Sequence, residues 1–167
     1  MSSVYRNILV AVDGSPDGEA ALAHASALAR DQRARLTLLT AIPPMPATAL
    51  LATGAAPPRN EVVKHYTELL RRATDSLPED VSVTTLLVEG PAAKALIERA
   101  RSGAFDLIVM GSHGHGRLHQ SLLGCVSQKV LHASPIPVLL TRAPAEEPAV
   151  LPTPTRESAL DIYPLTG

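Results

Sequence analysis

Short apolar runs alternate with helical patterns along most of the chain. Asn7-Ile-Leu-Val-Ala-Val-Asp13 is an apolar run closed by Asp-Gly-Ser-Pro, which predicts a buried strand leading into a turn. From Pro16 to Asp31 the pattern is alanine-rich, with Ala20, Ala21, Ala25, Leu28 and Ala29 near helical spacing and no interrupting proline, so a first helix follows. Arg35 to Ala41 predicts a second strand. Asn60 is placed to cap a helix running to about Ser76, with Val62, Val63, Tyr66, Leu69 and Leu70 on its buried stripe. Val81 to Val88 reads as the third strand, and Gly90-Pro91 opens a helix over Ala92 to about Arg101. Asp106 to Met110 predicts the fourth strand, a glycine- and histidine-rich loop leads to a helix ending near His132, and Ile136 to Thr141 supplies the fifth strand.

Strict alternation of strand and helix predicts an α/β fold, a parallel sheet covered by helices on both faces, because parallel strands need crossover connections. Ligands of such sheets bind at the carboxyl ends of the strands, where the winding direction reverses. Asp13, Ala41 and Gly111 stand at those ends. Two segments fall outside the pattern. Ile42 to Pro58 carries five prolines and predicts a mobile surface loop. After Arg142 the composition turns to Pro, Ala, Glu and Thr, so residues 1–142 are expected to form one domain and Ala143 to Gly167 a tail, a candidate for disorder.

Composition sharpens this picture. With 46% hydrophobic but only 2% aromatic residues, the core must be built from Ala, Val, Leu and Ile. A net charge of -1 leaves no electrostatic footprint for nucleic acid. No run is long enough to span a bilayer and the first residues lack a signal-like apolar core, so a cytoplasmic location without membrane contact is expected. Cys125 is the only cysteine, which excludes an intrachain disulfide.

The segment with chemistry in it runs from Gly111 to Ser127. Glycine allows a backbone to approach a ligand with no Cβ in the way, and unpaired N–H groups at a helix start attract anions. Gly124, Cys125, Val126 and Ser127 supply such groups if the following helix begins there. The segment lacks the Gly-Lys-Ser or Gly-Lys-Thr of a P-loop, and it is not the close-spaced dinucleotide fingerprint.

Gly111, two residues, Gly114, nine residues, Gly124, with Val-Met-Gly-Ser-His-Gly before and Val-Leu-His-Ala-Ser-Pro-Ile-Pro-Val-Leu-Leu after, resembles the ATP-binding branch of the universal stress proteins. The start, Ile8-Leu-Val-Ala-Val-Asp13-Gly-Ser, is similar to that family as well, and the likeness spans about residues 5 to 142. It implies a Rossmann-like five-stranded sheet in the order 3-2-1-4-5. It further implies a homodimer joined through the last strand, Ile136 to Thr141, and an ATP site accompanied by Mg²⁺ or Mn²⁺. Carried over by motif position, Asp13 contacts the adenosine part and the backbone near Ala41 the adenine. Met110, Gly111, Gly114 and Gly124 line ribose and phosphates with His113 nearby, and Cys125, Val126 and Ser127 meet the phosphates. The implied role is a nucleotide-dependent sensor or regulator in stress responses, acting on a protein partner that the sequence does not name. One departure stands out: the family pattern has Ser or Thr where this chain has Cys125, and a thiol is a weaker donor than a hydroxyl. The expected loss is on the order of one net hydrogen bond, ~1 kcal/mol.

Other readings of the same residues stand beside these. Spaced glycines also serve tight loops, and Asp13 before Gly-Ser-Pro can cap the first helix or stabilise its turn. His113, His115 and His119 lie close together, but no cysteine pair or carboxylate completes a zinc set, and they read as solvated loop residues. Cys125 at a helix start has the setting of a redox-sensitive thiol, although a small buried residue is the commoner case. A slow ATPase or phosphoryl- or nucleotidyl-transferring enzyme would need a positioned base and charge-stabilising groups, for which Arg117, His113 and His115 are the candidates. A ligand-free interaction module is the third reading, opposed by the intact glycine spacing and weakly favoured by Cys125.

Overall fold

The computed structural model describes residues 4–44, 56–115 and 123–144. The apolar run at the start forms the central strand β1 (Asn7–Ala11), flanked by β2 (Arg35–Ile42) and β4 (Leu107–Gly111), with β3 (Val83–Glu89) and β5 (Val138–Thr141) at the edges. All neighbours are parallel, as the alternation predicts, and stand in the order β3-β2-β1-β4-β5 that the resemblance implies. The crossovers are α1 (Pro16–Gln32), α2 (Arg59–Asp75), α3 (Ala92–Arg101) and α4 (Cys125–Ala133).

Burial on both faces explains why β1 and β4 read as unbroken apolar runs. Ile8, Val10, Leu36, Leu38, Leu107 and Val109 pack beneath α1 and α2, while Leu9, Leu39, Ile108 and Met110 pack beneath α3 and α4. The helices match their strands in size. Ala21, Ala25 and Ala29 bring α1 close to the sheet, and Leu96 of α3 and Val130 of α4 are fully buried on the other side. Burial of a leucine or valine side chain such as these last two contributes about 1.5–3 kcal/mol.

Several boundaries differ from the sequence expectation, each for a local reason. The helix expected from an Asn60 cap starts instead at Arg59, with Pro58 in the cap position and no side-chain cap. The fixed φ of proline suits that place, and the Pro58 carbonyl accepts from the N–H groups of Glu61 and Val62. On the stripe of α2 only Leu70 and Ala73 are buried, while Val62, Val63, Tyr66 and Leu69 are half-covered. β3 begins at Val83 because Val81 donates to the Pro78 carbonyl in a turn. β5 begins at Val138, not Ile136, because the Ser134 hydroxyl closes a turn by donating to the Ile136 carbonyl at 2.7 Å. β1 stops at Ala11, which leaves Asp13 in the turn rather than in the strand. Residues 45–55 of the proline-rich loop and the tail from 145 lie outside the described residues.

Candidate functional site

Parallel strands all end on one side of the sheet, and the turns after β1 and β4 meet there. The first is a closed unit. Gly14 has φ +76, a left-handed conformation that glycine adopts without strain, and it turns the chain between Asp13 and Ser15. Asp13 Oδ1 accepts from the Ser15 N–H at 2.9 Å and from the Ser15 hydroxyl at 2.6 Å. Ser15 Oγ in turn accepts from the Gly18 N–H at 3.1 Å, so Ser15 is the N-cap of α1 and Asp13 is the residue that holds the cap. A Cβ on Gly18 would lie 2.4 Å from Asp13 Oδ1, which explains a glycine inside the first turn of a helix.

The second turn leans on the first. Gly111 ends β4 against the start of α1, where a Cβ would lie 2.7 Å from the Asp17 carbonyl carbon and 2.8 Å from the Gly18 nitrogen. Gly114 lies beside the other oxygen of Asp13, with a Cβ position only 2.9 Å from Oδ2. Gly124 donates its N–H to the Ser112 carbonyl at 2.8 Å and has a Cβ position 3.2 Å from that oxygen. His115 Nε2 donates to the Asp13 carbonyl at 2.6 Å, tying the two turns together. The three spaced glycines therefore permit three close backbone approaches in the fold itself.

α4 starts at Cys125, as the phosphate reading requires. Its first intrahelical bond runs from the Gln128 N–H to the Gly124 carbonyl, so the N–H groups of Cys125, Val126 and Ser127 have no acceptor within the helix. Gly124 offers no side-chain cap and the first turn holds no acidic residue. The Ser127 hydroxyl is buried and donates to the Ser112 carbonyl at 2.8 Å, with the Gly124 carbonyl at 2.9 Å, so its share in an anion site is its backbone N–H. Cys125 is exposed.

Between these turns and the end of β2 lies a cavity of about 390 Å³. All ten residues expected at a nucleotide, Asp13, Ala41, Met110, Gly111, His113, Gly114, Gly124, Cys125, Val126 and Ser127, are on its wall. Its slot between the exits of β2 and β4 is apolar, formed by Leu39, Ala41, Leu96 and Met110. Among the described residues its charged or titratable groups are Asp13, His113, His115, Tyr66 and Cys125, with no lysine or arginine. A larger groove of about 660 Å³ between α3 and α4 is more open and lies away from the strand ends, and we place the site in the smaller cavity for that reason.

Residues that the motif reading missed complete the site. Asp17 Oδ2 accepts from the Ser112 hydroxyl at 2.7 Å and the His113 N–H at 3.1 Å, and Oδ1 accepts from the Ala143 N–H at 2.8 Å. Burial pushes the Asp17 carboxyl up, but bonds from Ala143, Ser112 and His113 outweigh it and hold it below the ordinary value. The two described loop imidazoles differ in setting: His115 is exposed, as expected of a solvated loop residue, whereas His113 is half-buried. His113 Nδ1 lies 3.0 Å from Ser112 Oγ and 3.4 Å from Asp17 Oδ2, and His115 makes the bridge already described. No trio of His, Cys, Asp or Glu among the described residues could hold a metal ion, and no helix among them is long and apolar enough to cross a membrane. Arg117 and His119 lie outside the described residues.

The family model described as the universal stress protein family matches residues 4–142. The chain belongs to the universal stress protein family. Among relatives in that family, universal stress protein YxiE of Bacillus subtilis is 33% identical over 148 residues, covering 83% of this chain and all of its own length. A universal stress protein of Thermus aquaticus is 35% identical over 145 residues, again covering 83% of this chain and 100% of its own. Among solved structures, the protein MJ0577 is 26% identical with a TM-score of 0.72, covering 83% of this chain and 96% of its own. A universal stress protein in complex with cAMP is 26% identical with a TM-score of 0.57, covering 83% and 98%.

Proposed function

We propose that this universal stress protein binds an adenine nucleotide, ATP foremost, in the cavity at the carboxyl ends of β1, β2 and β4. One observation carries the reading: a cavity with an apolar wall of Leu39, Ala41, Leu96 and Met110 also holds the uncapped start of α4, where three backbone N–H groups have no acceptor in the helix. The base lies in the slot beside Ala41 and Met110. The ribose hydroxyls face Asp13 Oδ2, beside which Gly114 places no side chain, and the phosphates lie along Gly111 to Gly114 and over Gly124 to Ser127. The cAMP held by a relative of 26% identity supports the adenine class.

With no lysine or arginine on the described wall, the phosphate charge is met by backbone dipoles and by a cation. Mg²⁺ or Mn²⁺ fits this setting as a partner that arrives on the nucleotide, since Mg²⁺ is usually held by substrate phosphates, waters and one or two carboxylates. Asp13 is the carboxylate in reach of it. Cys125 contributes its N–H in place of the family's hydroxyl-bearing residue.

The protein acts as a cytoplasmic homodimer, sensor or regulator rather than an efficient enzyme. The half-buried Val138, Leu139 and Leu140 of β5 lie on an edge strand and are the surface for a second copy. Nucleotide selects one arrangement of the loops around the cavity and so presents a surface to a protein partner in stress responses.

Calorimetric titration with ATP and Mg²⁺ tests the reading, beside a Gly114→Ala, Gly124→Ala double variant whose fold is checked by circular dichroism. Uptake in the parent and loss in the folded variant are expected. A parent that takes up no adenine nucleotide would leave the chain as a ligand-free interaction module.

A further inference from the structure

Asp17 lies behind the cavity wall and not on it, yet it touches the chain where it leaves β4 and where it leaves β5. Its Oδ2 accepts from Ser112 and His113 at the exit of β4, its Oδ1 accepts from the Ala143 N–H just past β5, and its own carbonyl accepts from the Thr141 hydroxyl at 3.0 Å. The Ser112 N–H donates to the Thr141 carbonyl at 2.8 Å, so the three segments form one hydrogen-bonded knot. The side chain is 13% exposed.

We infer that Asp17 is the positioning residue of the nucleotide site: one carboxylate sets the Ser112-His113 backbone and fastens it to the exit of β5. This rests on the proposed nucleotide reading for its functional half. The chemistry of the knot argues for a carboxylate in particular. The groups that meet the side-chain oxygens most closely are donors, the Ser112 hydroxyl and two backbone N–H groups that cannot reverse roles. An asparagine has one acceptor oxygen, so it can satisfy the His113 side or the Ala143 side but must turn an N–H₂ toward the other. A shift of Ser112-His113 moves Gly114 and, through the bond from Gly124 to the Ser112 carbonyl, the start of α4. The same shift reaches β5, the edge proposed to meet a second copy.

The test uses the full chain with Asp17→Ala, Asp17→Asn and the milder Ser112→Ala, each checked for a native circular dichroism spectrum. Amide exchange without nucleotide should quicken at both His113 and Ala143 in Asp17→Ala, and at one of the two in Asp17→Asn. ATP·Mg²⁺ affinity should fall about tenfold in Asp17→Ala, as expected for losing bonds to a charged acceptor, with a smaller fall in Ser112→Ala. Adenosine affinity should change less, so the preference for ATP over adenosine shrinks; a merely structural loss would lower both alike. Unchanged exchange at both amides, or an undiminished preference for ATP in Asp17→Ala, overturns the inference. If the parent binds no adenine nucleotide, the reading of the cavity fails with the functional half, and exchange at the two amides still decides whether Asp17 couples the exits.

Discussion

Two helices begin at the same end of the sheet and begin in opposite ways. α1 starts with Ser15 as a cap, Pro16 at its first position, and Asp17 and Glu19 in its first turn. α4 starts with glycine, no side-chain cap and no acid. Both carry the positive end of a helix dipole, but in α1 the protein's own oxygens occupy it. What differs is therefore not the helix but who supplies the acceptor. A helix start whose donors are met internally can serve as a fixed wall. One left open can wait for an anion.

The strongest way to break the contrast is to push the wall away. Gly111→Ala would drive a Cβ into the backbone of Asp17 and Gly18, contacts that no rotamer change relieves. The expected loss is about 2–3 kcal/mol of stability, read from urea unfolding. Next, Val126→Asp places an acid in the first turn of α4 and so makes it resemble α1. Nucleotide affinity should fall by roughly tenfold or more while the helix gains a few tenths of a kcal/mol, a pair of opposite signs that calorimetry and thermal melting together detect. Ser15→Ala removes the α1 cap, and about 1 kcal/mol of stability with it, by chemical denaturation. Smaller still, Cys125→Ser returns a hydroxyl to the open start and should tighten ATP binding by no more than about 1 kcal/mol, a few-fold in Kd.

The last prediction is of a difference that acid removes. The folded value of the Asp17 carboxyl lies below its ordinary 3.8, so the stability it contributes is complete above that value and is lost as pH falls through the folded one. Parent and Asp17→Asn should differ in stability at neutral pH and converge as pH drops below 3.8, measured by urea unfolding at each pH.

The contrast between the helices also marks what could be read in the sequence. The start of α4 was legible because a glycine between a loop and a helical pattern is a local signal, the parallel sheet followed from alternation, and the strand order from the motif likeness. Sites in such sheets gather at the strand ends, which is why the ten residues named from the motif share one cavity. The role of Asp17 was not legible. Its partners Ser112 and Ala143 lie 95 and 126 residues away, and no spacing rule spans that distance. Ser15 was within reach, since Ser-Pro-Asp before an alanine-rich pattern is the local signature of a capped helix start. Asn60 misled because its type suits a cap, while the proline two residues earlier already had the backbone set for that position.

One feature of the knot bears on how the molecule is handled at the bench. Asn7 opens β1 at the end of the sheet far from the cavity, its N–H donating to Asp106 at 2.9 Å, whereas the chain passes Ala143 at the cavity end, bonded to Asp17. The two termini of the domain thus belong to opposite poles of the sheet. A dye or purification handle joined at the amino end sits at the pole away from the cavity, and one joined soon after residue 143 sits at the cavity's pole, next to Asp17, where it would report on the proposed nucleotide or obstruct it.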